Sequence, residues 1–384
     1  MDFEFATSQR IIFGAGNLNQ VGKIASVFGN RAFILAGSGS VPLDGLWRSL
    51  SAMSVSGEVF RVEGEPDVLL VNAGLELAKQ RKCELVIGFG GGAVLDTAKV
   101  ISAMLNNPGE LIDYLEVIGA GKKITNQPLP MIAIPTTAGT GTEVTRNAVI
   151  KSNEHQVKVS MRSPMMIPRI AIIDPELTYS MPPSVTASTG MDALTQVIEP
   201  YVSNRANPMT DIIAQDGIKR GARSLLRVYE DGKDQCARKD LALTSLFGGL
   251  ALANAGLGAV HGFAGVLGGM YDAHHGEICA NLLPFVMKYN VQVLSAQESS
   301  AGVTSRYQNI ARWVTGDPQA TIEAGVAWIA DLAESLGIPG LHSVGIEKED
   351  FDQIIEKSKV SSSMKNNPVK LDDDILRAIL QEAY

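Results

Sequence analysis

The residues best suited to chemistry in this chain fall in two segments. In GMDALTQ, Asp192 and Gln196 stand four apart, which on a helix puts an acid and an amide on one face. Further on, AVHGFAGVLGGMYDAHHGEICANLLP carries His261, His274 and His275, three of the chain's five histidines. Glycines surround them, and Gly268-Gly269 is expected to turn the chain so that His261 and His275 converge. One carboxylate, two imidazoles and an amide oxygen form a donor set that a divalent metal accepts, with glutamine its weakest member. Each residue also has a plainer reading. A histidine in a helical stretch is more often structural, and Asp192, two residues after Gly190, is equally a candidate helix cap.

A second chemistry is written in glycine and threonine. Residues 88–99 read GFGGGAVLDTAK, a strand running through Gly90-Gly91-Gly92 into a helix. Glycine lets backbone N–H groups approach a phosphate, and the helix start adds a positive field. Ala93 stands where the last glycine of GxGxxG is required, so this is not the dinucleotide fingerprint itself. Residues 134–150, IPTTAGTGTEVTRNAVI, offer threonine hydroxyls and backbone donors suited to a pyrophosphate or ribose. The plainer reading is a threonine turn capping a helix, with Glu143 completing the box. Both loops follow strands of the parallel type, whose carboxyl ends bind ligands in open α/β sheets. An earlier strand ends at Gly37, Ser38, Gly39 and Ser40, where an acid would grip the ribose 2′-hydroxyl of NAD. Without that acid a 2′-phosphate meets no repulsion, which favours NADP(H) over NAD(H); otherwise the run is only a flexible turn.

These loops need elements to hold them. Strands are expected at 31–37, 57–64, 83–91, 130–137 and 169–175, with amphipathic helices at 67–82 and 93–107 between them. That alternation means an α/β layer with a largely parallel sheet. After about residue 180 strand signals fade, and helix-length patterns take over at 209–229, 240–255, 318–337 and 372–384. Residues 288–306 read as either helix or loop. The expectation is an α/β domain over 1–180 and an all-helical domain over 181–384, as suits a chain of 384 residues. A formal net charge of −8 argues against nucleic acid and anionic membranes as partners. The three cysteines, Cys83, Cys236 and Cys279, show no CxxC spacing, and no apolar run is long enough to span a bilayer; both point to a cytoplasmic protein.

The motifs FGAGNL, GGGAVLDTAK, PTTAGTGTEVT, IIDPEL, TGMDALTQ, VHGFAG and HHGEICANLLP span nearly the whole chain. In that order the chain resembles the iron-containing (group III) alcohol dehydrogenase family. The resemblance implies a dehydroquinate synthase-like fold: a Rossmann-like domain, a helical domain, and an active site in the cleft between them. It implies a homodimer or higher homo-oligomer and a small-molecule alcohol or aldehyde as substrate. Carried over by motif position, the metal ligands are Asp192, Gln196, His261 and His275. Cofactor contacts fall on Gly37, Gly91, Gly92, Thr136, Thr137, Thr140, Asn147, Lys158 and Leu177; Asp96 fits the same pattern, with Ser38 and Ser40 beside Gly37. The family usually carries histidine at the positions of Gln196 and Gly265, which leaves Fe²⁺ and Zn²⁺ both open. With no histidine at 265, His274 becomes the candidate proton carrier. The implied reaction is hydride transfer to the nicotinamide, with the metal acting on the substrate oxygen as a Lewis acid. Leu252, Asn254 and Phe263 are expected to line a small substrate pocket. Three other readings stand beside it: a dehydroquinate synthase-like lyase, a maleylacetate reductase whose anionic substrate would meet Arg146, and a metal-free nucleotide-binding homologue.

Overall fold

The computed structural model describes residues 2–38, 41–155, 157–271, 273–297 and 301–384. They form two compact units, Ala6–Met181 and Pro182–Tyr384, and residues 2–5 belong with the second.

The first unit is built on strands β1 (Arg10–Phe13), β2 (Arg31–Gly37), β3 (Ser56–Val62), β4 (Leu85–Gly90), β5 (Met131–Pro135) and β8 (Ile170–Ile173). Among the described residues they make one sheet in the order β1-β8-β5-β4-β2-β3, with every neighbouring pair parallel. The near-continuous apolar runs of β4 and β5 are buried throughout, as parallel strands covered on both faces must be. Alternate side chains serve opposite cores. Phe33, Leu35 and Val86 pack toward α3 (Val68–Gln80) and α4 (Gly92–Met104). Ala32, Ile34, Leu85 and Ile87 pack toward α1 (Val21–Ala25) and α2 (Asp44–Ser51). The chain leaves β2 toward one edge of the sheet, yet β4 and β5 follow on its other side. That reversal, between β2 and β4, is where open α/β sheets leave a crevice for ligands.

All five expected strands are present, within a few residues of the expected limits. Beyond these, the unit holds β1, which has four residues, and an antiparallel hairpin, β6 (Asn147–Ser152) with β7 (Val157–Arg162). The hairpin buries Ala148 and Ile150 on one face only, a weaker signal than a fully buried strand.

The second unit is helical: α6 (Pro183–Val202), α7 (Pro208–Glu230), α8 (Gln235–Ala255), α9 (Ala259–Met270) and α10 (His275–Ser295) lead. The short α5 (Leu111–Tyr114) belongs to the first unit, and α11 (Ala301–Thr315), α12 (Ile322–Ser335), α13 (Phe351–Lys359) and α14 (Asp373–Ala383) complete the second. Helix α6 starts with Pro183 in its first turn, where a missing N–H costs nothing, and packs against α7, α8 and α10. Close approach to it is made through glycine. A Cβ on Gly248 of α8 would lie 3.0 Å from Gln196 Cβ, and one on Gly276 of α10 would lie 2.0 Å from the Ser188 carbonyl oxygen. No side chain but hydrogen fits at Gly276, next to His275.

Two expectations change here. Gly268 and Gly269 do not turn the chain: α9 runs through both to Met270, and Tyr271 N still donates to Leu267 O. Glycine permits a turn without requiring one, and the chain bends after the helix ends. The ambiguous stretch 288–306 is helical at both ends, in α10 to Ser295 and α11 from Ala301, with 298–300 outside the described residues. No single helix among the described residues is long and apolar enough to cross a membrane.

Candidate functional site

Helix α6 delivers Asp192 from its middle, so the cap reading of that residue does not hold. Helix α9 delivers His261 from its first turn, and α10 begins at His275. These three meet. His261 Nε2 is 3.3 Å from Asp192 Oδ1, His275 Nε2 is 3.8 Å from the same oxygen, and the two imidazole centroids are 5.3 Å apart. Cys279, one turn after His275, joins them: its sulfur is 3.9 Å from His261 Nε2. The four donor atoms all lie within 4.8 Å of one another, and Asp192, His261 and Cys279 are buried. Carboxylate, imidazole and thiolate within this distance are a fitting donor set for a divalent cation.

A carboxylate behind His261 sets its orientation. Glu199 Oε2 is 2.7 Å from His261 Nδ1, and Oε1 accepts from Val260 N at 2.7 Å. Glu199 therefore satisfies an orphan N–H at the start of α9 and accepts a hydrogen bond from His261 Nδ1–H, leaving Nε2 turned toward Asp192. It lies seven residues after Asp192 and shares its helix face. Burial alone would raise the Asp192 carboxyl, but the His261 hydrogen bond and the charge of His275 bring it below the ordinary carboxylate range. Burial disfavours the imidazolium of His261, yet Cys279, Asp192 and Glu199 together hold it well above the ordinary imidazole range. Burial would likewise raise the Cys279 thiol, and His275 and His261 outweigh it.

Gln196 is buried one turn along α6, and its side chain hydrogen-bonds Asp192. His274 is exposed, caps the start of α10 without a side-chain bond, and lies outside the four-donor cluster. Phe263 is fully buried, a core residue rather than an exposed pocket wall; Asn254 is nearly so and donates to Leu250 O, while Leu252 is half-buried.

The first unit carries the glycine and threonine loops. Gly91 caps α4 with no side-chain acceptor, leaving its first-turn N–H groups without a side-chain partner. The threonine loop packs onto this turn. A Cβ on Gly91 would lie 3.3 Å from Thr137 Oγ1, and one on Gly92 would lie 2.9 Å from Thr140 Cγ2. Thr136 N donates to Gly90 O, tying the two strand ends together. Underneath is a buried polar network. Lys99 Nζ donates to Thr142 Oγ1, Thr145 Oγ1 and Asn147 O at 2.6, 2.8 and 2.8 Å. Asp96 accepts from Thr142 Oγ1 and Val149 N, so both its oxygens serve the protein. Burial pulls the Lys99 ammonium down to about 8 and pushes the Glu143 carboxyl up to about 7. Glu143 is thus a buried carboxyl near the Lys99 charge, in a single 3₁₀ turn, and not an exposed capping residue.

Lys158, on the hairpin, is only 12% exposed in its side chain and pairs with Glu65 at 3.2 Å, so it is no plain surface lysine. Leu177 helps wall a shallow cavity of about 410 Å³ with Val41, Pro42 and Arg48. Gly37 closes β2, and its carbonyl accepts from Arg61 Nη1 at 2.8 Å; Ser38 beside it is exposed. Ser40 lies outside the described residues. Cys279, Glu199 and Lys99 are site residues that the sequence motifs do not single out. The i, i+4 spacing of His275 and Cys279, and the i, i+7 spacing of Asp192 and Glu199, carried the signal for the first two.

Comparison with known proteins agrees across the whole chain. The profile of iron-containing alcohol dehydrogenases matches residues 8–175, and that of the Fe-containing alcohol dehydrogenase family C-terminal domain matches 186–384. Alcohol dehydrogenase 4 of Saccharomyces cerevisiae is 36% identical over 325 residues, covering 84% of this chain and 82% of its own. The 1,3-propanediol dehydrogenase of Klebsiella pneumoniae is 32% identical over 391 residues, covering 100% and 99%. A crystal structure of a 1,3-propanediol oxidoreductase superposes with a TM-score of 0.92 at 31% identity, covering 100% of both chains.

Two outcomes follow from these contacts. Glu199→Gln removes the charge that holds the His261 proton, and metal affinity, read by competition with a chromophoric chelator, is expected to fall roughly ten- to a hundredfold. Unchanged affinity would mean that Glu199 only caps α9. Glu143 is raised from 4.5 to about 7 in the fold, so its contribution to stability is whole below 4.5 and is lost as pH rises through 7. Glu143→Gln stays neutral. Its unfolding free energy in urea is expected to gain on wild type by about 1–3 kcal/mol across that window, then stay level. Parallel pH curves would refute the assignment.

Proposed function

Because the chain belongs to the iron-containing alcohol dehydrogenase family, we propose that this oxidoreductase interconverts a small primary alcohol and its aldehyde using NADP(H) and one divalent metal. The observation that carries the reading is the meeting of Asp192, His261 and His275, from three different helices, at a single buried point. A divalent cation held there supplies Lewis acidity toward the substrate oxygen. Asp192 brings the negative charge, and His261 is kept in one tautomer by Glu199. His275, partly exposed, is the ligand open to the substrate side, and His274 next to it exchanges protons with water.

In the first unit, Gly91 and Gly92 keep the backbone of the α4 start bare for the cofactor's diphosphate, and Thr137 and Thr140 stand against them. Thr136, Asn147, Lys158 and Leu177 are the further cofactor contacts that the family resemblance implies. Asp96 acts one step back: it holds Thr142 and the start of the hairpin in place. NADP(H) is favoured over NAD(H) because β2 ends without a carboxylate and the Arg61 guanidinium lies at that end. Relatives named as an alcohol dehydrogenase and a 1,3-propanediol dehydrogenase support an alcohol as substrate. Nicotinamide chemistry and three unpaired thiols support a cytoplasmic enzyme, working as a homodimer or larger homo-oligomer as the family resemblance implies.

The test follows the near-ultraviolet absorbance of the reduced nicotinamide against a panel of short aldehydes. Chelator-treated protein, verified metal-free by elemental analysis, is expected to be inactive and to recover with one equivalent of Zn²⁺ or Fe²⁺. NADPH is expected to give a higher kcat/KM than NADH. Full turnover by the metal-free protein would overturn the metal role, and a preference for NADH would overturn the cofactor assignment.

A further inference from the structure

Where the family usually has histidine, this chain has Gln196, and the vacated donor is replaced from another helix. We propose that Cys279, not Gln196, is the fourth protein ligand of the metal, and that the resulting aspartate, two-imidazole, thiolate set selects Zn²⁺ over Fe²⁺. This rests on the metal-dependent reading above and extends it to the identity of the ligands and the ion.

Geometry is the first support. Cys279 follows His275 by one turn of α10, so both side chains leave the same face. A tetrahedral zinc site with bonds of about 2.0–2.3 Å has ligand-to-ligand edges of roughly 3.3–3.7 Å. The distances here are 3.3 Å (His261 to Asp192), 3.8 Å (His275 to Asp192) and 3.9 Å (Cys279 to His261). The remaining pairs of donor atoms all lie within 4.8 Å, so closing the four onto one ion needs side-chain shifts of at most about 1 Å.

The behaviour of Gln196 is the second. Its side chain is hydrogen-bonded to the Asp192 carboxylate. A carboxylate only accepts, so the amide is turned with its N–H toward Asp192 and acts as an orienting donor. Gln196 is packed in that position, with Gly248 of α8 against its Cβ. The Cys279 sulfur, in contrast, is buried and has the two imidazoles as its partners. It binds as thiolate, its proton passing to water. Thiolate with imidazole is a soft set that suits zinc, whereas carboxylate-rich and oxygen-rich sets suit harder ions.

Cobalt substitution in the full-length protein tests this directly. Co²⁺ bound to a thiolate shows a near-ultraviolet charge-transfer band, apart from its visible ligand-field bands. Wild type with one equivalent of Co²⁺ is expected to show both. Cys279→Ser is expected to keep the visible bands and lose the charge-transfer band. Its Zn²⁺ affinity should fall roughly a hundredfold or more, since even outer contacts are worth ten- to a hundredfold, and its preference for Zn²⁺ over Fe²⁺ in anaerobic competition should narrow. Gln196→Ala, and a variant with both Cys83 and Cys236 changed to serine, should retain the band. A wild-type protein that binds one equivalent of Co²⁺ and reduces aldehydes without the band would refute Cys279 alone. A band that survives in Cys279→Ser would do the same. Failure to bind any metal at one equivalent would remove the metal-dependent reading as well.

Discussion

A carboxylate buried in the middle of a helix is the constraint on which the second unit depends. An unpaired charge at Asp192 would cost several kcal/mol. The structure meets that cost with partners drawn from α6, α9 and α10: Gln196, His261 and His275. The helices must then pack closely enough to keep those partners in reach, which explains glycine at Gly276, where an added carbon would collide with backbone, and at Gly248, where it would crowd Gln196. Glu199 extends the same logic outward, joining the α9 backbone and His261 through one carboxylate. The arrangement is a preorganised ligand sphere, and its stability and its affinity for a cation come from the same contacts.

The first unit solves a different problem with similar means. The threonine loop leans on the α4 start at Gly91 and Gly92, where an added Cβ would lie 3.3 Å from Thr137 and 2.9 Å from Thr140. The loop itself is largely irregular, with one 3₁₀ turn, and satisfies only part of its own polar groups. Lys99 and Asp96, inside α4, serve others from beneath with their donors and acceptors fully used. Here buried ionisable groups act as scaffold beneath the glycine and threonine loops.

The sequence made the α/β layer legible because β4 and β5 are apolar on both faces, and it made the helical region legible because Asp192, His261 and His275 sit among helix-length patterns. The hairpin β6–β7 was not legible, since it buries one face and its alternation is short. The turn between the histidines was misassigned to Gly268-Gly269 because glycine licenses several conformations and only the surrounding hydrogen bonds decide among them. Cys279 was overlooked for a related reason: a lone cysteine in a helix reads as a small apolar residue until the start of that helix is fixed at His275. Asp96 was readable as a member of the glycine segment, but not as a residue whose two oxygens both point into the protein.

Anomalous diffraction from crystals of metal-loaded protein tests the central claim most directly. One fully occupied peak should lie about 2.0–2.2 Å from an Asp192 oxygen, His261 Nε2 and His275 Nε2 together. Full occupancy at any other position, with those three side chains left unliganded, would contradict it.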